Sequence, residues 1–573
     1  MAQAIPVELR NTEQGWQLYR GGEPYFINGA GGDHSLEALQ AAGGNSVRTW
    51  DAGEATGELL DRAHALGLTV TLGIWLGHER HGFDYADETQ VEGQYQRARD
   101  IVLRFRDHPA LLLWGIGNEM EGFEQGDDRR IWAAVNDIAA MVKELDPNHP
   151  TMTVTTFVHG ERIDFVHRRM PSIDIHGINA YGGAGVVPSL LRDGDASKPF
   201  VLTEFGPVGP WETGMTAWDA PLEATSTEKA DFYRQSYEQA ILASPGQALG
   251  AYAFLWGNKV EATTTWFGMW LEDGKRLAAV DTMSELWTGQ PPSFPVPAID
   301  PLVAASGTIG DPGDSLRITA SGHGEDVAGL QALWELKADS LETSTGGDFR
   351  ADMPVIENAI VGASLTDAEV QLPSAPGPYR LYYTVWDEHG GAATANLPLL
   401  VAGEQRTPLP LPVYEDGFEG MPWAPSGWMG QTEELTLDGS STEQVRSGKH
   451  SIRMRYTGLY GWVGVAWQHP PNNWGDQPGG FDLTGASALE VWARGQYGGE
   501  KVAFGVGLAD ETQPYPDSAI ERIEDIVLTS EWQRFVVPLK RKDLSSIKNG
   551  FVVTLTGRSS TVTVYLDGIR FIE

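Results

Sequence analysis

Short apolar runs alternate with amphipathic stretches of helical periodicity between about residues 24 and 290. Eight apolar runs occur, among them "GLTVTLGIWLGH", "ALLLWGIGNE" and "PFVLTEFGPVG". The stretches between them, such as "RRIWAAVNDIAAMVKELDP", repeat apolar residues three and four positions apart, and many end at Gly or Pro. Eight strands alternating with helices predict a closed (β/α)8 TIM barrel over residues 1–290.

A doubly wound parallel sheet is the alternative to the barrel. That fold would need a glycine-rich phosphate-binding turn after its first strand. The corresponding segment, "NGAGGDHSLEAL", is rich in glycine but lacks the G-x-G-x-x-G spacing. The pattern therefore favours the barrel.

The pattern changes after the proline-rich segment "TGQPPSFPVPAIDP". Short alternating strands separated by turns replace the helices and predict an immunoglobulin-like β-sandwich over residues 295–403. A second proline-rich segment, "EQRTPLPLPVYED", leads to further strands. These strands, which include "HSIRMRYTG" and "TVTVYLDGIRFIE", predict a β jelly roll over residues 411–573.

The charge of the chain restricts its partners. Its 573 residues include 41 Lys and Arg and 78 Asp and Glu, so the formal net charge is −37. This charge argues against nucleic acid or an anionic membrane as a partner. No apolar run reaches the roughly 18 residues of a membrane-spanning helix, so we expect no membrane span.

The absence of cysteine excludes disulfides, thiolate metal ligands and cysteine nucleophiles. It does not determine the compartment. The first residues, "MAQAIPVELR", lack the basic and apolar regions of a signal peptide. We expect a secreted or periplasmic protein whose signal is missing from this chain, and an intracellular location is the alternative.

The C-terminal ends of the predicted barrel strands carry a pair of glutamates. Reactive side chains of TIM barrels lie at these ends, and Glu119 and Glu204 follow the fourth and seventh apolar runs. Glycoside cleavage needs one carboxylic acid to protonate the leaving oxygen and one carboxylate to attack or assist at the anomeric carbon. Side chains suited to sugar binding lie at other strand ends and on the loop after strand 7: Arg48, Trp50, Trp75, Asn118, His159, Tyr181, Trp211 and Trp256.

Two segments carry a resemblance to a known group of enzymes. "DHPALLLWGIGNE" and "LTEFG" resemble the barrels of clan A glycoside hydrolases, and the first is especially similar to the family 2 barrel signature. The resemblance covers residues 20–290 and implies a retaining β-glycosidase with Glu119 as acid/base and Glu204 as nucleophile. It also implies supporting roles: Asn118 at the sugar 2-hydroxyl, Tyr181 and Arg48 as partners of Glu204, and Trp256 as the floor of the −1 subsite.

Elementary electrostatics agrees with this division of roles. A nucleophilic carboxylate must be charged, and Arg48 and Tyr181 can supply the cation and the donor that stabilise it. An acid must keep its proton, which a neighbouring negative charge such as that of Glu204 favours. A retaining mechanism predicts a separation of about 5 Å between the two carboxyl groups.

The sequence therefore predicts hydrolysis of β-linked neutral glycans, first among them a β-glucan, with an oligo- or polysaccharide as partner. No cofactor is expected for catalysis. Two alternatives stay open: a β-glucan transglycosylase that uses the same two glutamates, and a carbohydrate-binding protein whose barrel has lost catalysis. The sequence leaves the oligomeric state open.

Several further residues have two interpretations each. Glu121 is either a solvated acid or a competitor of Glu119. The segment "HERH" either lines the cleft or binds a metal, although it lacks the i, i+4 spacing of a helical zinc site. His159 and His176 either line the pocket or belong to the core.

The C-terminal region resembles a carbohydrate-binding jelly roll, and modules of that kind often hold a structural calcium. Calcium prefers oxygen ligands. The candidate ligands at the first and last strands are Asp416, Glu419 and Asp567. The alternative is that these acids are solvated strand ends.

Overall fold

A computed structural model describes residues 3–120, 129–158, 161–323, 327–339, 352–402, 407, 409–510 and 512–572. The chain divides into two compact units, Met1–Gly403 and Glu404–Glu573. No helix in the described residues is long and apolar enough to cross a bilayer.

The first unit begins with a three-stranded antiparallel sheet that the sequence pattern did not predict. Its strands are β1 (Val7–Thr12), β2 (Gly15–Arg20) and β3 (Glu23–Tyr25). The side chains of Val7 and Leu18 pack with Ile27, Leu112 and Met152, which lie at or near the first residues of barrel strands. The sheet therefore covers the N-terminal end of the barrel.

The eight parallel strands that follow close into a barrel, which confirms the predicted fold class and excludes a doubly wound sheet. Their order around the barrel is β10-β11-β4-β5-β6-β7-β8-β9. They are β4 (Ile27–Gly31), β5 (Ser46–Arg48), β6 (Thr69–Ile74), β7 (Leu111–Ile116), β8 (Thr151–Thr156), β9 (Ile175–Asn179), β10 (Phe200–Phe205) and β11 (Ala248–Ala253).

Helices follow the strands and cover the barrel. They are α1 (Leu36–Ala41), α2 (Thr56–Ala65), α3 (Glu88–Phe105), α4 (Arg129–Leu145), α5 (Arg162–Asp164), α6 (Val187–Asp193), α7 (Ser226–Ser236) and α8 (Ala278–Thr288). Segments of π-helix, Phe165–Arg169 and Tyr237–Leu242, continue α5 and α7. A capping box at Thr225 and Glu228 starts α7, since each side chain accepts a hydrogen bond from the other residue's backbone N–H.

Strand β7 shows why the barrel strands read as continuous apolar runs. All six of its residues are buried, because the barrel interior covers one face and the helices cover the other. Helix α4, by contrast, buries one side only, through residues such as Trp132, Val135 and Ile138. The two periodicities therefore distinguish strand from helix along this part of the chain.

The first unit ends in a sandwich of two four-stranded sheets, here called the first sandwich. Its strands are β12 (Val303–Ala304), β13 (Ile309–Gly310), β14 (Ser315–Thr319), β15 (Gln331–Ala338), β16 (Ile360–Ala363), β17 (Asp367–Gln371), β18 (Gly377–Trp386) and β19 (Ala392–Val401). One sheet has the order β12-β14-β17-β16 and the other β13-β19-β18-β15. Alternate residues of both sheets, among them Leu336, Leu381 and Val370, form its core.

The second unit is a larger sandwich of antiparallel sheets. Its strands are β20 (Leu411–Tyr414), β21 (Ala424–Gly430), β22 (Leu435–Ser441), β23 (Ser451–Tyr456), β24 (Trp462–Gln468), β25 (Ala488–Gly495), β26 (Lys501–Val506), β27 (Glu521–Val527), β28 (Gln533–Pro538), β29 (Asn549–Thr556) and β30 (Val562–Ile572). One sheet has the order β22-β23-β30-β25-β28, with β20 paired to β30, and the other β21-β24-β29-β26-β27. Trp467 is fully buried in its core.

The N-terminal sheet supplies a stability prediction. Leu18 is 1% exposed, so we expect Leu18→Ala to lower the free energy of unfolding of the first unit by about 2–5 kcal/mol through lost contacts and a cavity. Urea unfolding followed by near-ultraviolet circular dichroism measures it. The control, Glu13→Ala at an exposed position of the same sheet's hairpin, should change stability by less than about 0.5 kcal/mol. Equal stability of the two variants would contradict the packing described.

Candidate functional site

Glu204 ends β10 and is held by three donors. Its Oε1 accepts hydrogen bonds from Arg48 Nη1 at 2.9 Å and from Trp50 Nε1 at 2.8 Å, and its Oε2 accepts one from the Tyr181 hydroxyl at 2.8 Å. The carboxylate and the guanidinium are both buried. A buried cation and two neutral donors stabilise the ionised form of a carboxyl group. The side chain of Glu204 is thus buried and fixed in position.

Arg48 joins the two glutamate-bearing strands. It is the last residue of β5 and is 2% exposed. Besides Glu204, its guanidinium donates to the backbone oxygen of Thr203 at 2.9 Å and to Asn118 Oδ1 at 2.6 Å. The same side chain therefore fixes both Glu204 and the residue before Glu119.

Glu119 lies just beyond β7 in an uncommon backbone conformation. Its φ is 52°, and its N–H donates to the backbone oxygen of Val154 at 3.0 Å. Non-glycine residues with positive φ are uncommon and cluster at functional sites. The side chain is half-buried, and its Oε1 accepts a hydrogen bond from Asn179 Nδ2 at 2.7 Å. The backbone and Asn179 together orient this carboxyl group.

The two glutamates belong to one hydrogen-bonded network. Asn179 Nδ2 also lies 3.2 Å from Asn118 Oδ1, which accepts from Arg48, and Arg48 in turn donates to Glu204. Thr203 Oγ1 donates to Asn179 Oδ1 at 2.8 Å and so fixes which amide atom faces Glu119. The separation of about 5 Å between the carboxyl groups stays a prediction.

Tyr181 is kept in its protonated form. Burial of the hydroxyl and the negative charges of Glu204 and Glu119 raise the pKa of Tyr181 well above its usual value. The hydroxyl therefore remains a donor to Glu204 over the whole range in which proteins are stable.

An aromatic cluster adjoins this network. The Tyr181 ring lies 6.0 Å from Phe254, 5.1 Å from Phe267 and 5.8 Å from Trp211, and Phe254 lies 5.7 Å from Trp50. Trp211 is 59% exposed, an unusual state for so large an apolar side chain. Rings with one accessible face bind the apolar C–H surface of a sugar. Trp50 and Tyr181 are half-buried, and Phe254 and Phe267 are buried and pack against Tyr181. We call Trp50, Tyr181, Trp211, Phe254 and Phe267 the aromatic wall.

A family model matches the part of the barrel that carries Glu119 and Glu204. Residues 59–217 match the TIM barrel domain of glycosyl hydrolases family 2. The barrel is therefore similar to that of family 2 glycosyl hydrolases over these residues. The match accounts for the closed parallel barrel and for the position of the two glutamates at the ends of β7 and β10.

Two curated proteins are similar to this chain. A β-glucuronidase of Streptococcus agalactiae is 25% identical over 247 residues, which cover 38% of this chain and 39% of that protein. A putative β-glucuronidase of Formosa agariphila is 25% identical over 170 residues, which cover 30% of this chain and 14% of that protein. The chain thus spans well under half the length of either relative.

Among solved structures, a β-D-glucuronidase of Dictyoglomus thermophilum matches with a TM-score of 0.38 and 17% identity. That match covers 50% of this chain and 54% of the other.

Several of the predicted site residues come together, whereas Trp256 packs elsewhere in the described contacts. Its side chain is fully buried, its Nε1 donates to the backbone oxygen of Ser35 at 3.0 Å, and its ring packs 5.4 Å from Trp270. These contacts lend no support to a role for Trp256 as the floor of the sugar site, which stays a prediction. The ring of Phe254, two residues earlier in the chain, contacts the rings of Trp50 and Tyr181.

The remaining predicted residues lie at varying distances from the network. Trp75 is half-buried, and its ring lies 4.8 Å from that of His78. The Nε2 atom of His78 is 2.8 Å from the backbone oxygen of Asn118, so the segment "HERH" adjoins the site. The described residues contain no group of three His, Cys, Asp or Glu that could hold a metal. His159 and Glu121 lie outside the described residues.

Sequence reasoning gave no role to Asn179 or Phe254 and did not predict the hydrogen bond from Trp50 to Glu204. Asn179 is the last residue of β9, so the rule that located the other site residues also applies to it. Phe254 directly follows β11, but nothing in the sequence distinguished it from Trp256 two positions later. The role of Trp50 as a donor depends on its side-chain orientation, which a strand-end pattern does not give.

His176 belongs to the core, the second of its two interpretations. It is fully buried, and its ring lies between His167 Nε2 at 3.0 Å and Thr155 Oγ1 at 2.8 Å. His167 Nδ1 accepts from the backbone N–H groups of Ser197 and Lys198, so its proton is on Nε2. Burial, with the charges of Lys198 and Arg168, lowers the pKa of His167 to about 4.

This histidine pair predicts acid sensitivity of the first unit. An unfolded histidine takes up a proton near pH 6.5, whereas folded His167 stays neutral down to about pH 4. Stability is therefore complete above pH 6.5 and falls as the pH drops from 6.5 to about 4, by up to about 3 kcal/mol from this group. Urea unfolding at several pH values should show a shallower slope for His167→Gln than for the wild type. His64→Gln, at an exposed position of α2, is the control, and an unchanged slope in His167→Gln would refute the assignment.

Proposed function

We propose that this protein is a retaining β-glycosidase in which Glu204 is the nucleophile and Glu119 the acid/base. The observation that carries the proposal is that two carboxyl groups belong to one network: Glu204 accepts from a buried guanidinium, an indole and a phenol, and Glu119 accepts from the amide of Asn179, which is linked to Arg48 through Asn118. The cation and the two donors around Glu204 are the partners that a nucleophilic carboxylate needs, and Glu119 lies just beyond a strand of the same barrel.

The proposed reaction has two displacements. In the first, the Glu204 carboxylate attacks the anomeric carbon while Glu119 gives its proton to the departing glycosidic oxygen, so that an ester bond to Glu204 forms and the glycosidic bond breaks. In the second, the Glu119 carboxylate takes a proton from water as the water attacks the same carbon and the ester bond breaks. Tyr181 and Arg48 hold Glu204 in place during both.

For the substrate we propose a β-linked neutral glycan, with a β-glucan as the first candidate. The exposed Trp211 ring beside Tyr181 supports a neutral sugar, because stacking on the apolar face of a sugar needs no charge. The formal charge of −37 disfavours approach of an anionic polymer. A transglycosylase would use the same residues, with a sugar hydroxyl in place of water in the second displacement.

A β-glucuronide is the second candidate, and one observation favours it besides the names of the relatives. Lys259 lies in the segment after β11 and pairs with Glu261 at 2.9 Å, and the charge of Glu261 acts on Tyr181. A cation on this segment of the C-terminal face could bind a sugar carboxylate by exchanging partners. Lys259→Met should then abolish activity on β-glucuronides and leave activity on neutral β-glycosides unchanged.

The catalytic assignment is tested with isosteric variants. Glu204→Gln and Glu119→Gln should each lower kcat/KM at least about a hundredfold on the best substrate of a panel of β-glucan oligosaccharides and 4-nitrophenyl β-glycosides, glucuronide included. Added azide should restore turnover of an activated aryl glycoside by Glu119→Gln and give the β-glycosyl azide, because azide attacks the glycosyl-enzyme without needing a base. Glu272→Gln, at an exposed position, is the control.

Two outcomes would reject parts of this assignment. Full activity of Glu204→Gln, or an inverted product by proton NMR, would overturn the retaining mechanism. Inactivity of the wild type on the whole panel would favour the carbohydrate-binding alternative, which glycan-array binding then examines directly.

We also retain the structural calcium of the second unit as a proposal. Asp567 Oδ2 accepts from the backbone N–H groups of Arg446 and Ser447, and Asp416 Oδ1 accepts from those of Lys449 and His450. Both acids therefore accept hydrogen bonds from the loop that precedes β23. The buried Oδ1 atom of Asp567 has no hydrogen-bond partner in the described residues. Glu419 is exposed, and the described residues contain no group of three His, Cys, Asp or Glu that would include it as a metal ligand. The structure therefore supports only Asp567 and Asp416 as proposed calcium ligands.

Removal of divalent cations tests this proposal. EDTA should lower the midpoint of thermal unfolding of the Glu404–Glu573 unit, and added calcium should restore it, because an ion that binds only the folded state stabilises it. Asp567→Asn should remove the response to calcium. A midpoint that is insensitive to EDTA would contradict a structural calcium.

A further inference from the structure

Two long segments at the C-terminal face of the barrel carry most of the aromatic wall. Loop 7, residues 206–225, joins β10 to α7 and carries Trp211. Loop 8, residues 254–277, joins β11 to α8 and carries Phe254 and Phe267. Loops of this length without helices or strands need contacts outside themselves to hold one conformation.

Glu223 is the residue at which these loops meet. Its side chain is 1% exposed, although it is a carboxylate on a loop. It accepts hydrogen bonds from Thr263 and Thr265 of loop 8, at 2.5 and 2.8 Å, and from Lys229 of α7. Lys229 also donates to the backbone oxygen of Thr265 at 2.7 Å. One carboxylate thus connects loop 7, loop 8 and α7.

The remaining donor to Glu223 comes from the first sandwich. Asn396 of β19 donates from Nδ2 to Glu223, and its Oδ1 accepts from Arg380 of β18 at 2.7 Å. Arg380 is fully buried, donates to the backbone oxygen of Pro221 in loop 7 at 3.0 Å and pairs with Asp339 at 2.8 Å. The sandwich therefore contacts loop 7 through its backbone and through Glu223.

Loop 8 and α7 have their own contacts with the same face of the sandwich. The backbone of Arg276, near the end of loop 8, donates to the Gly390 oxygen at 3.0 Å and accepts from the Ala392 N–H at 2.9 Å. The backbone N–H of Thr394 donates to the buried Ser226 hydroxyl at the start of α7 at 2.9 Å. Within the barrel, Trp266 Nε1 donates to the Val208 oxygen at 2.9 Å and joins the loops again.

The buried charges in this region balance. Glu223 and Asp339 carry negative charge, and Lys229 and Arg380 carry positive charge. Although burial acts to raise it, the pKa of Glu223 lies below its usual value because Lys229 stands beside the carboxylate. A buried ion pair is a weak source of stability, but loss of one member leaves an uncompensated charge. Such a cluster is better suited to fixing a conformation than to stabilising the fold.

We infer that the first sandwich is a positioning element of the site: Asn396 and Arg380 hold Glu223, and Glu223 holds loops 7 and 8 so that Trp211 and Phe267 stand beside Tyr181. The effect on catalysis rests on the proposed function, whereas the effect on loop order does not. Asn396, Arg380 and Glu223 touch neither glutamate of the site in the described contacts. They are therefore positioning residues.

Hydrogen exchange of the full chain, read by mass spectrometry, tests the loop order without any substrate. Asn396→Ala should accelerate exchange about fivefold in peptides of loops 7 and 8, the effect of losing about 1 kcal/mol of hydrogen bonding. Peptides of β7 should exchange as in the wild type. Thr265→Val, which removes one hydroxyl donor to Glu223 and keeps the shape, is the milder second variant should Asn396→Ala fold poorly. Arg317→Ala, at an exposed position of β14, is the matched sandwich control.

Kinetics gives the second readout. On oligosaccharides that extend past the cleaved bond, both variants should raise KM about fivefold, while kcat on a small activated aryl glycoside stays within about twofold, since the carboxylates are fixed by the barrel strands. Unchanged loop exchange in both variants would overturn the inference. Faster loop exchange in an enzyme inactive on every substrate would uphold the positioning role and reject the proposed function instead. An equal fall of kcat on both substrate types would overturn the separation of roles.

Discussion

The guanidinium of Arg48 meets Glu204, the Thr203 carbonyl and Asn118, and the geometry of the whole site depends on this set of hydrogen bonds. In the sheet order, β11 and β4 separate β5 from β10, and β6 separates β5 from β7. No ladder of backbone hydrogen bonds therefore places these strand ends against one another. Closure of the barrel brings them within reach of one long side chain, and the buried charge requires that all its partners be present.

The strands between Arg48 and Glu204 are built from small residues for a related reason. Strand β4 reads INGAG and β11 reads ALGAYA. A Cβ added to Gly31 would lie 3.1 Å from the Trp50 ring, a separation at which the indole would have to shift. The missing side chain thus leaves the space in which Trp50 lies and from which its Nε1 reaches Glu204. The small residues of β4 and β11 therefore leave room for site side chains as well as allowing the barrel core to pack.

The sequence predicted the barrel because strands and helices have different hydrophobic periodicities. It predicted candidate site residues because the sites of such barrels lie at the C-terminal ends of the strands. Glu119, Glu204, Arg48, Asn118 and Tyr181 were found in this way. The burial of Trp256 and the contacts of Phe254 with Trp50 and Tyr181 were not predictable, since past Ala253 the chain leaves the strand and side-chain direction depends on the path of loop 8. The N-terminal sheet was missed because its strands bury few residues: β1 and β2 bury one residue each and β3 buries none, so they lack the continuous apolar runs of the barrel strands.

The two glutamates and the loop residues Trp211 and Phe267 are held in position by different parts of the structure, and this difference has a functional consequence. The carboxylates stand on strand ends and are joined by side chains of other strand ends, so the barrel alone fixes them. Trp211 and Phe267 stand on loops whose conformation depends on a carboxylate held partly by another domain. Changes in the first sandwich can therefore alter the surface available to a glycan without moving the groups proposed to act at the anomeric carbon. A barrel with an attached sandwich can in this way vary its substrate while its reaction stays the same.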